Sequence, residues 1–362
     1  MGISSGLQGY KGNSQRNNLT IFQQAFFQFP ADRVLTPVRV IVTEHLIMTN
    51  NQLSMTEINV FSPATVANVV CGFDVLGFAL DGPLDKMVIR ETPTKGVTII
   101  NKDDYNLPTE PTQNVIGMAL LALLNEVPED IGFVVESTKI IKPGSGIGSS
   151  GASAAGAVVG ANALLNNRFS NEELVRFAMC GEEVASGSKH ADNIAPCIYG
   201  GITLIRSLQP LDIISIPAPP LFVTVLHPQI EVKTSDSRGI LKKQILLKDA
   251  VTQWGNVAGL IAGFLKCDYD LIGRSLVDVI VEPIRSILIP CFDEVKTKSM
   301  EAGALGGGIS GSGPSMFMLS KDEVTAKAVE AAIIGVYQNL TIGFHTHVTT
   351  ISKEGVRISD VR

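Results

Sequence analysis

The sequence predicts an α+β protein, and three observations support this fold class. Segments with helical spacing and segments rich in β-branched residues both occur, but they do not alternate strictly along the chain. A run of glycines and serines at residues 143–150 leads directly into an alanine-rich helical segment. The 362 residues contain no internal repeat of fixed period. We therefore expect a mixed fold in which the glycine-serine loop faces a ligand.

The composition is that of a globular protein with a sizeable core. Hydrophobic residues make up 45% and charged residues 18% of the chain, which excludes a mainly disordered protein. The formal net charge of −6 and the lack of a basic run argue against nucleic-acid binding. Residues 143–167 carry no charge, but Gly, Ser and Ala dominate them, so we expect a buried helix and not a membrane span.

Five cysteines lie far apart and form neither a CxxC pair nor a disulfide framework. We expect reduced thiols and a cytoplasmic location. The chain is predicted to divide into three parts: a non-core N-terminal extension at 1–54, rich in Gln, Asn and Ser, then domains at 55–205 and 206–362.

In the first predicted domain, the chain alternates irregularly between strands and helices. The sequence Ser62-Pro63-Ala64 is expected to break the first strand. Ser170 and Glu173 have the spacing of a capping box that begins a helix running to about Ala185. Strands are predicted at 58–61, 78–80, 86–91, 132–141 and 202–205, and further helices at 115–124 and 151–165.

The second predicted domain has the same mixed character. A glycine-rich stretch at 303–313 is predicted to be a loop. Strands are predicted at 222–226, 315–319 and around 345–351, and helices at 249–264, 293–302 and 323–337.

The loop at 143–150 predicts a phosphate site. Glycines at alternate positions allow positive φ and close approach of the backbone to a ligand. The following helix would point its free N–H groups and its positive dipole end at the loop. The loop has neither the lysine of a P-loop nor the third glycine of a dinucleotide fingerprint, where Ser149 stands instead. A glycine turn before a small-residue helix is the alternative, although paired serines could also serve a phosphate-bound Mg²⁺.

The segment PGSGIGSSGA at 143–152 resembles the second of three motifs of the GHMP kinases. SPATVAN at 62–68, followed by GFDVLG at 72–77, resembles the first motif, and GISGSGP at 308–314 resembles the third. The three occur in the family's order and cover most of the chain from residue 58 to about 320. HADNIAP at 190–196, together with later arginines, is similar to the homoserine kinase family. One departure is Val70-Cys71, where that family usually has Gly-Pro.

The resemblance implies a GHMP kinase-like fold, with an N-terminal ribosomal-S5-like α/β domain and a C-terminal α+β, ferredoxin-like domain. It implies ATP and Mg²⁺ as cofactors and L-homoserine as the small-molecule substrate. The expected reaction phosphorylates the homoserine hydroxyl, a step toward threonine, and a homodimer is the family's usual state. Another GHMP small-molecule kinase and a catalytically inactive nucleotide-binding relative are the alternatives.

The resemblance also assigns residues to the nucleotide and the metal. Ser150 and Glu182 match the Mg²⁺ ligands, for which oxygen donors are suitable; the alternative for Glu182 is a solvated helix acid. Asn193 matches an asparagine near the reacting hydroxyl, and the adjacent Asp192 stays open as a base, so these four form the catalytic set. The expected ATP-binding residues are Lys142, Pro143, Gly144, Ser145, Gly146, Ile147, Gly148, Ser149, Ser150, Gly151, Ala152 and, for the nucleoside, Asn114.

Homoserine carries an α-carboxylate and an α-ammonium, and the substrate residues follow from that chemistry. A carboxylate suits the two parallel donors of arginine, and an ammonium suits a carboxylate. For His190 a surface position is the alternative reading. The resemblance assigns Arg238 and Arg285 to the carboxylate and Asp74 to the ammonium, with Asn68, His190 and Thr234 as further substrate contacts.

We predict that residues 1–54 are dispensable, because they contain none of the three motifs and termini tolerate removal unless they are docked. A chain that begins at Met55 should stay soluble and keep the phosphotransferase activity implied by the resemblance. Expression, gel filtration and a kinase assay on the shortened and full chains would check this. An insoluble or inactive shortened chain would show that the segment belongs to the core.

Overall fold

The computed structural model describes residues 57–232 and 234–360, so the predicted extension at 1–54 lies outside the described residues. Six strands and four α-helices are described between residues 57 and 216, and they supply most of the larger hydrophobic core. These elements are β1 (Glu57–Ala67), β2 (Leu76–Thr92), β3 (Gly96–Asn101), α1 (Val115–Leu124), β4 (Gly132–Thr138), α2 (Ser149–Leu164), α3 (Asn171–Ser186), α4 (Ile194–Tyr199), β5 (Ile202–Leu208) and β6 (Leu211–Ile216).

The second half contributes a smaller sheet and further helices. They are β7 (Phe222–Pro228), α5 (Thr234–Gly239), α6 (Leu247–Lys266), α7 (Tyr269–Ser275), α8 (Glu282–Arg285), α9 (Phe292–Glu301), β8 (Gly306–Ile309), β9 (Met316–Ser320), α10 (Glu323–Tyr337), β10 (Phe344–Thr350) and β11 (Arg357–Asp360). Short 3₁₀ turns occur at Pro111–Gln113 and Ser286–Leu288.

The strands form two sheets. The larger sheet has the order β11-β1-β2-β4-β3, with β5 pairing β2 and β6 pairing β5. Among the described strands, only β3 and β4 run parallel. The smaller sheet has the antiparallel order β10-β7-β9-β8. Helix α2 packs on β1 and β2, while α9 and α10 cover the smaller sheet. The expected α+β class is therefore confirmed.

The prediction that Ser62-Pro63-Ala64 ends the first strand is wrong, because β1 continues to Ala67. Pro63 pairs with Leu84 of β2, and the register shifts between Pro63 and Thr65. Strand β11 pairs with β1 only at residues 58–61. A proline is tolerated at this bulge because no neighbour on that side needs its missing N–H.

The strands predicted separately at 78–80 and 86–91 are parts of the single long strand β2. Its first residues pair with β5 and its last with β4, while β1 pairs along both portions. The predicted domain boundary after Ile205 lies inside β5, and β6 and β11 both belong to the larger sheet. The division into domains stays a prediction. Among the helices of the described ranges, none is long and apolar enough to cross a bilayer.

A buried ion pair fastens the glycine loop to the larger sheet. The side chains of Lys139 and Asp85 are 3% and 0% exposed and form a salt bridge. Asp85 also accepts hydrogen bonds from the backbone N–H groups of Ile140 and Ile141, each at 2.8 Å. Lys139 Nζ donates to the Ser149 carbonyl oxygen at 2.7 Å, at the start of α2. Strand β2, the strand end before the loop and the helix after it are thereby joined.

We predict that Asp85→Asn lowers the free energy of unfolding by about 3–5 kcal/mol, because it leaves the Lys139 charge buried without its partner. Urea denaturation followed by circular dichroism would measure the change. Asp212→Asn is the matched control, since it removes an ion pair with Arg206 at the surface and should cost at most about 1 kcal/mol. Equal effects of the two substitutions would contradict the role of the buried pair.

Candidate active site

The glycine loop, defined here as residues 143–148, adopts the conformation its sequence predicts. Gly144, Gly146 and Gly148 have φ of 73°, 83° and 74°. Gly148 is required for a second reason, because a Cβ there would lie 1.9 Å from Thr65 Oγ1. It is also the N-cap of α2 and supplies no side-chain cap, so the first N–H groups of the helix stay available for an anion.

A second glycine loop, at residues 310–313, holds the first one in place. Ser310 Oγ donates to the Gly146 carbonyl oxygen at 2.8 Å. The Ser315 N–H donates to the Ser145 carbonyl oxygen at 3.2 Å, and the Thr65 N–H donates to that of Ile147 at 3.1 Å. The three stretches that resemble GHMP motifs therefore meet at one place.

These loops line a cavity of about 360 Å³, within the usual range of ligand sites. Most of the predicted site residues come together in it. Those that line it are Asn68, Asp74, Pro143, Gly144, Gly146, Gly148, Ser149, Ser150, Glu182, His190, Asp192, Asn193, Arg238 and Arg285.

The remaining predicted ATP-binding residues do not line this cavity. Gly151 and Ala152 are buried in α2, and Ile147 is in the core. The Ser145 hydroxyl is buried without a hydrogen-bond partner among the described residues. Lys142 turns to Gln229, whose Oε1 accepts from Lys142 Nζ at 2.9 Å.

Asn114 has a structural role that the sequence reading missed. Its Oδ1 accepts from the N–H groups of Ile116 and Gly117 at 2.8 and 3.4 Å, which caps α1, and its amide nitrogen donates to Pro108. The side chain is 5% exposed. Since both ends of the amide are engaged, this position does not support the predicted nucleoside contact.

Two buried carboxyl groups, those of Glu182 and Asp192, line the cavity. Burial raises the pKa of Glu182 to about 7, partly offset by a hydrogen bond from Ser150. Glu182 Oε2 is buried and has no hydrogen-bond partner in the described part of the chain. Burial, Asp74 and Glu182 together raise the pKa of Asp192 to about 7. Such an arrangement is poised either to exchange protons near neutral pH or to take up a cation.

Opposite charges are paired elsewhere in the cavity. Asp74 accepts two hydrogen bonds from Arg238, at 2.7 and 3.1 Å. Arg285 donates to the carbonyl oxygens of Ser237 and Gly311 at 3.1 and 3.2 Å. Burial and then Arg238 lower the pKa of Arg285 to about 10. The guanidinium carbons of Arg238 and Arg285 lie 5.2 and 5.1 Å from the centroid of the Phe73 ring.

Asn68 connects the first and third motif-like segments. Its Nδ2 donates to the Gly311 carbonyl oxygen at 2.8 Å, and its Oδ1 accepts from the Asp74 N–H at 3.0 Å. Asn68, Val69 and Val70 have positive φ of 69°, 43° and 64°, a strained turn for non-glycine residues. The turn therefore forms without the family's usual Gly-Pro.

Three predicted residues stand on short helices or loops around the cavity. His190 Nδ1 lies 3.4 Å from Ser186 Oγ, and burial, followed by Arg238, lowers the pKa of its imidazole. Asn193 Oδ1 accepts from Thr65 Oγ1 at 2.7 Å. Thr234 begins α5, the helix that carries Arg238.

Sequence reasoning missed several residues of the site. Phe73 and Lys139 line the cavity, and Thr65 fixes Asn193. Thr65 and Phe73 stood inside the motif-like segments, but nothing in their residue types singled them out. Lys139 could have been recognised from the sequence, because it is a charged residue between a β-branched and an apolar residue at the end of a predicted strand. A buried charge requires a partner, and that requirement could have marked it.

Comparison with known proteins gives two family matches. Residues 114–201 match the family described as GHMP kinases N terminal domain, and residues 260–339 match GHMP kinases C terminal. The chain is 44% identical over 318 residues to a homoserine kinase of Chloroherpeton thalassium, which covers 84% of this chain and 100% of the relative. A homoserine kinase of Chlorobium phaeobacteroides (strain DSM 266) is 46% identical, covering 82% of this chain and 98% of the relative.

Solved structures agree with these matches. The crystal structure of a homoserine kinase from Cytophaga hutchinsonii has a TM-score of 0.81 and 47% identity, covering 87% of this chain and 100% of that one. A mevalonate kinase from L. major, solved in complex with R-mevalonate, has a TM-score of 0.59 at 15% identity over 79% of this chain and 94% of that one. The latter likeness concerns the fold alone.

We predict that Asp192 makes stability depend on pH. Its carboxyl group has a pKa of about 7 in the folded chain and an ordinary value of 3.8 otherwise. Between these values the folded state holds a proton that the unfolded state has released, so the free energy of unfolding should fall as pH rises from about 4 to about 7. Asp192→Asn should remove this part of the slope in urea denaturation, whereas Asp130→Asn, at an exposed acid, should keep it. A wild-type slope retained by Asp192→Asn would contradict the prediction.

Proposed function

The chain belongs to the homoserine kinase family of the GHMP kinases, and from that premise we propose that it transfers the γ-phosphoryl group of ATP to the hydroxyl of L-homoserine, giving O-phospho-L-homoserine. One observation carries the proposal. A single cavity is lined both by a glycine loop at a helix N-terminus and by a cluster of Asp74, Arg238 and Arg285. The first suits a phosphate chain, and the second suits an amino acid.

The ATP phosphates are proposed to bind at the glycine loop. Alternate glycines with positive φ expose the backbone, and the uncapped first turn of α2 directs N–H groups and the positive dipole end toward it. Phosphoryl transfer depends mainly on position and charge stabilisation. The contacts from Ser310 and Thr65 therefore support catalysis by holding this backbone rigid.

The proposed homoserine contacts follow from the Arg238–Asp74 pair. Homoserine is a zwitterion, so its carboxylate can take up guanidinium donors of Arg238 and Arg285 while Asp74 accepts from its ammonium. Asn68, whose amide fixes the Asp74 backbone, and His190 complete the polar surroundings. Thr234 is retained as a substrate contact on the resemblance alone.

A Mg²⁺ ion is proposed to bind Ser150 and Glu182. The buried Glu182 Oε2 without a hydrogen-bond partner fits a hard cation, which would supply the missing interaction. In the described part of the chain no three His, Cys, Asp or Glu side chains gather as a metal site. Other oxygen ligands would then come from phosphate and water. When bound, the ion supplies positive charge beside the phosphates.

Asn193 is proposed to lie beside the reacting hydroxyl, where Thr65 holds its amide. The adjacent Asp192 is the carboxyl group that could accept the hydroxyl proton, because a pKa of about 7 suits a base at neutral pH. Its burial favours the neutral form, so deprotonation of Asp192 would have to accompany substrate binding for that role.

A homodimer and a cytoplasmic location are also proposed. Val251, Trp254 and Leu265 of α6 are 56%, 62% and 58% exposed, and exposed apolar clusters commonly mark association surfaces. The five cysteines are all free in the described residues, which supports a reducing compartment.

ADP release measured with homoserine, mevalonate, galactose and no acceptor tests the proposed function. The chain with Mg²⁺ and ATP should release ADP with homoserine, and Glu182→Gln should lower kcat by about 10²-fold, by analogy with loss of a charge contact in the transition state. Turnover on mevalonate or galactose without turnover on homoserine would identify a different GHMP kinase. No turnover with any acceptor would indicate an inactive nucleotide-binding relative.

We predict that Arg238→Leu lowers kcat/KM for homoserine roughly 10- to 150-fold, because a hydrogen bond to a charged group contributes about 1.5–3 kcal/mol. The KM for ATP should change little, since the glycine loop holds the phosphates. Steady-state kinetics with each substrate varied in turn would measure both effects.

Arg206→Leu is the matched control, because Arg206 is an exposed arginine that pairs with Asp212 away from the cavity. For an analogue of homoserine whose carboxylate is replaced by a carboxamide, Arg238→Leu should lower kcat/KM much less than it does for homoserine. If Arg238→Leu instead raises the KM for ATP and lowers kcat/KM equally for homoserine and its carboxamide, Arg238 binds the nucleotide.

A further inference from the structure

A second cavity, of about 330 Å³, lies where the larger sheet meets the smaller one. Its walls come from β2, from residues 140–142 before the glycine loop, and from the neighbouring strands β7 and β10. It shares no lining residue with the candidate active-site cavity. Two of its lining residues, Lys142 and Ile147, are among the expected ATP-binding residues, but neither lines the candidate active-site cavity.

The hydrogen-bond network fixes the protonation of one histidine on its wall. Lys142 can only donate, so its bond to Gln229 Oε1 orients the Gln229 amide. Gln229 Nε2 then donates to His227 Nδ1 at 3.2 Å. Because Nδ1 accepts, the proton of the neutral ring is on Nε2. Burial, Lys142 and His345 lower the pKa of His227 to about 4, so the ring is neutral at pH 7.

This Nε2–H group is an unsatisfied donor. His227 is 8% exposed, and its Nε2 is buried with no hydrogen-bond partner among residues 57–232 and 234–360. Leaving a buried donor without an acceptor is unfavourable, because the group has lost its hydrogen bond to water. Buried polar groups normally have a hydrogen-bond partner, so this cavity-lining residue calls for an acceptor from outside the chain.

The other residues that line the cavity indicate which kind of acceptor would bind there. The lining contains no Asp or Glu, and Lys142 is its one lysine or arginine. His345 stands opposite His227 in the β7–β10 register and also lines the cavity. Leu80, Pro83 and Ile140 provide apolar surface. The cavity thus combines the positive charge of Lys142 and histidine side chains with a hydrocarbon wall.

We propose that this cavity binds a small monocarboxylic acid with an apolar body. Its carboxylate accepts from His227 Nε2 and Lys142 Nζ, while its hydrocarbon part packs against Leu80, Pro83 and Ile140. One lysine matches the single negative charge of a carboxylate. The volume lies within the usual range for small-ligand sites.

Isothermal titration of the full chain with 3-phenylpropanoate tests the proposal, with 3-phenylpropanamide as the uncharged probe. The acid should bind the wild type and Arg238→Leu with the same affinity, and the amide should bind at least 10-fold more weakly. His227→Phe keeps the ring volume and removes both nitrogens, so the affinity for the acid should fall about 10-fold or more.

His345→Glu is the second variant. It places a negative charge at an exposed position of the lining, so the substitution leaves the buried side chains of the cavity wall in place. It should also weaken binding of the acid at least 10-fold. Val324→Glu adds the same charge on α10, outside the cavity, at a residue 81% exposed, and should leave binding unchanged.

Three results would overturn the proposal. The first is that the wild type does not bind 3-phenylpropanoate at about 10 mM, a concentration at which binding to a weak site would still be detected. The second is unchanged affinity in His345→Glu. The third is loss of binding in Arg238→Leu, which would place the acid in the candidate active site. Since binding is measured directly, none of these results depends on kinase activity.

Discussion

The buried pair of Asp85 and Lys139 is the constraint on which the rest of the site depends. Two charges removed from water are tolerated only when their remaining hydrogen-bonding groups are also satisfied. Asp85 meets this condition with the N–H groups of Ile140 and Ile141, and Lys139 meets it with the Ser149 carbonyl oxygen and Ser153 Oγ. The glycine loop is thereby held at its entry and at its exit. Its glycines can then keep positive φ without a side chain of their own to fix them.

The second glycine loop explains why distant parts of the chain must fold together before the cavity exists. Its Ser310 Oγ reaches the Gly146 carbonyl oxygen, and its Gly311 carbonyl oxygen accepts from both Asn68 and Arg285. One short loop thus links the proposed phosphate end of the cavity to Arg285, one of the two arginines in the proposed substrate contacts. Displacement of this loop would move both ends of the cavity together, a form of coupling through packed backbone and not through one side chain.

Signals that act locally predicted much of this structure. Helix α1 has the predicted bounds, and Ser170 and Glu173 form the predicted capping box, because caps and helical spacing are decided within one turn. The failures concern strand pairing. Proline at position 63 stays inside β1 because β11, from the other end of the chain, stops pairing at Phe61. Gly306–Ile309 is a strand because β9 pairs with it, although its three glycines favour a loop. Neither partner is visible in the local sequence.

In the site, too, local sequence identified residues but not their distant partners. Residues inside the three motif-like segments could be named from the resemblance, yet it did not reveal which atoms they use. Asn114 has the residue type of a nucleoside contact, but a helix start needs the same amide as its cap. Thr65 and Lys139 act on partners that are 128 and 10 residues away in the chain. Only the folded geometry brings these partners together.

The arrangement around Phe73 explains how one cavity can hold two arginines side by side. Like charges repel, and the pKa of Arg285, lowered to about 10 by burial and Arg238, reflects that cost. The bidentate bonds from Arg238 to Asp74, the carbonyl oxygens that face Arg285 and the ring of Phe73 offset it. Two guanidinium groups and one carboxylate leave a net charge of one positive unit. The carboxylate of an entering zwitterion could pair with the arginines while Asp74 accepts from its ammonium, so each charge of the ligand would meet an opposite charge. A neutral alcohol offers neither group, so the cluster favours a zwitterionic amino acid over a neutral alcohol such as galactose.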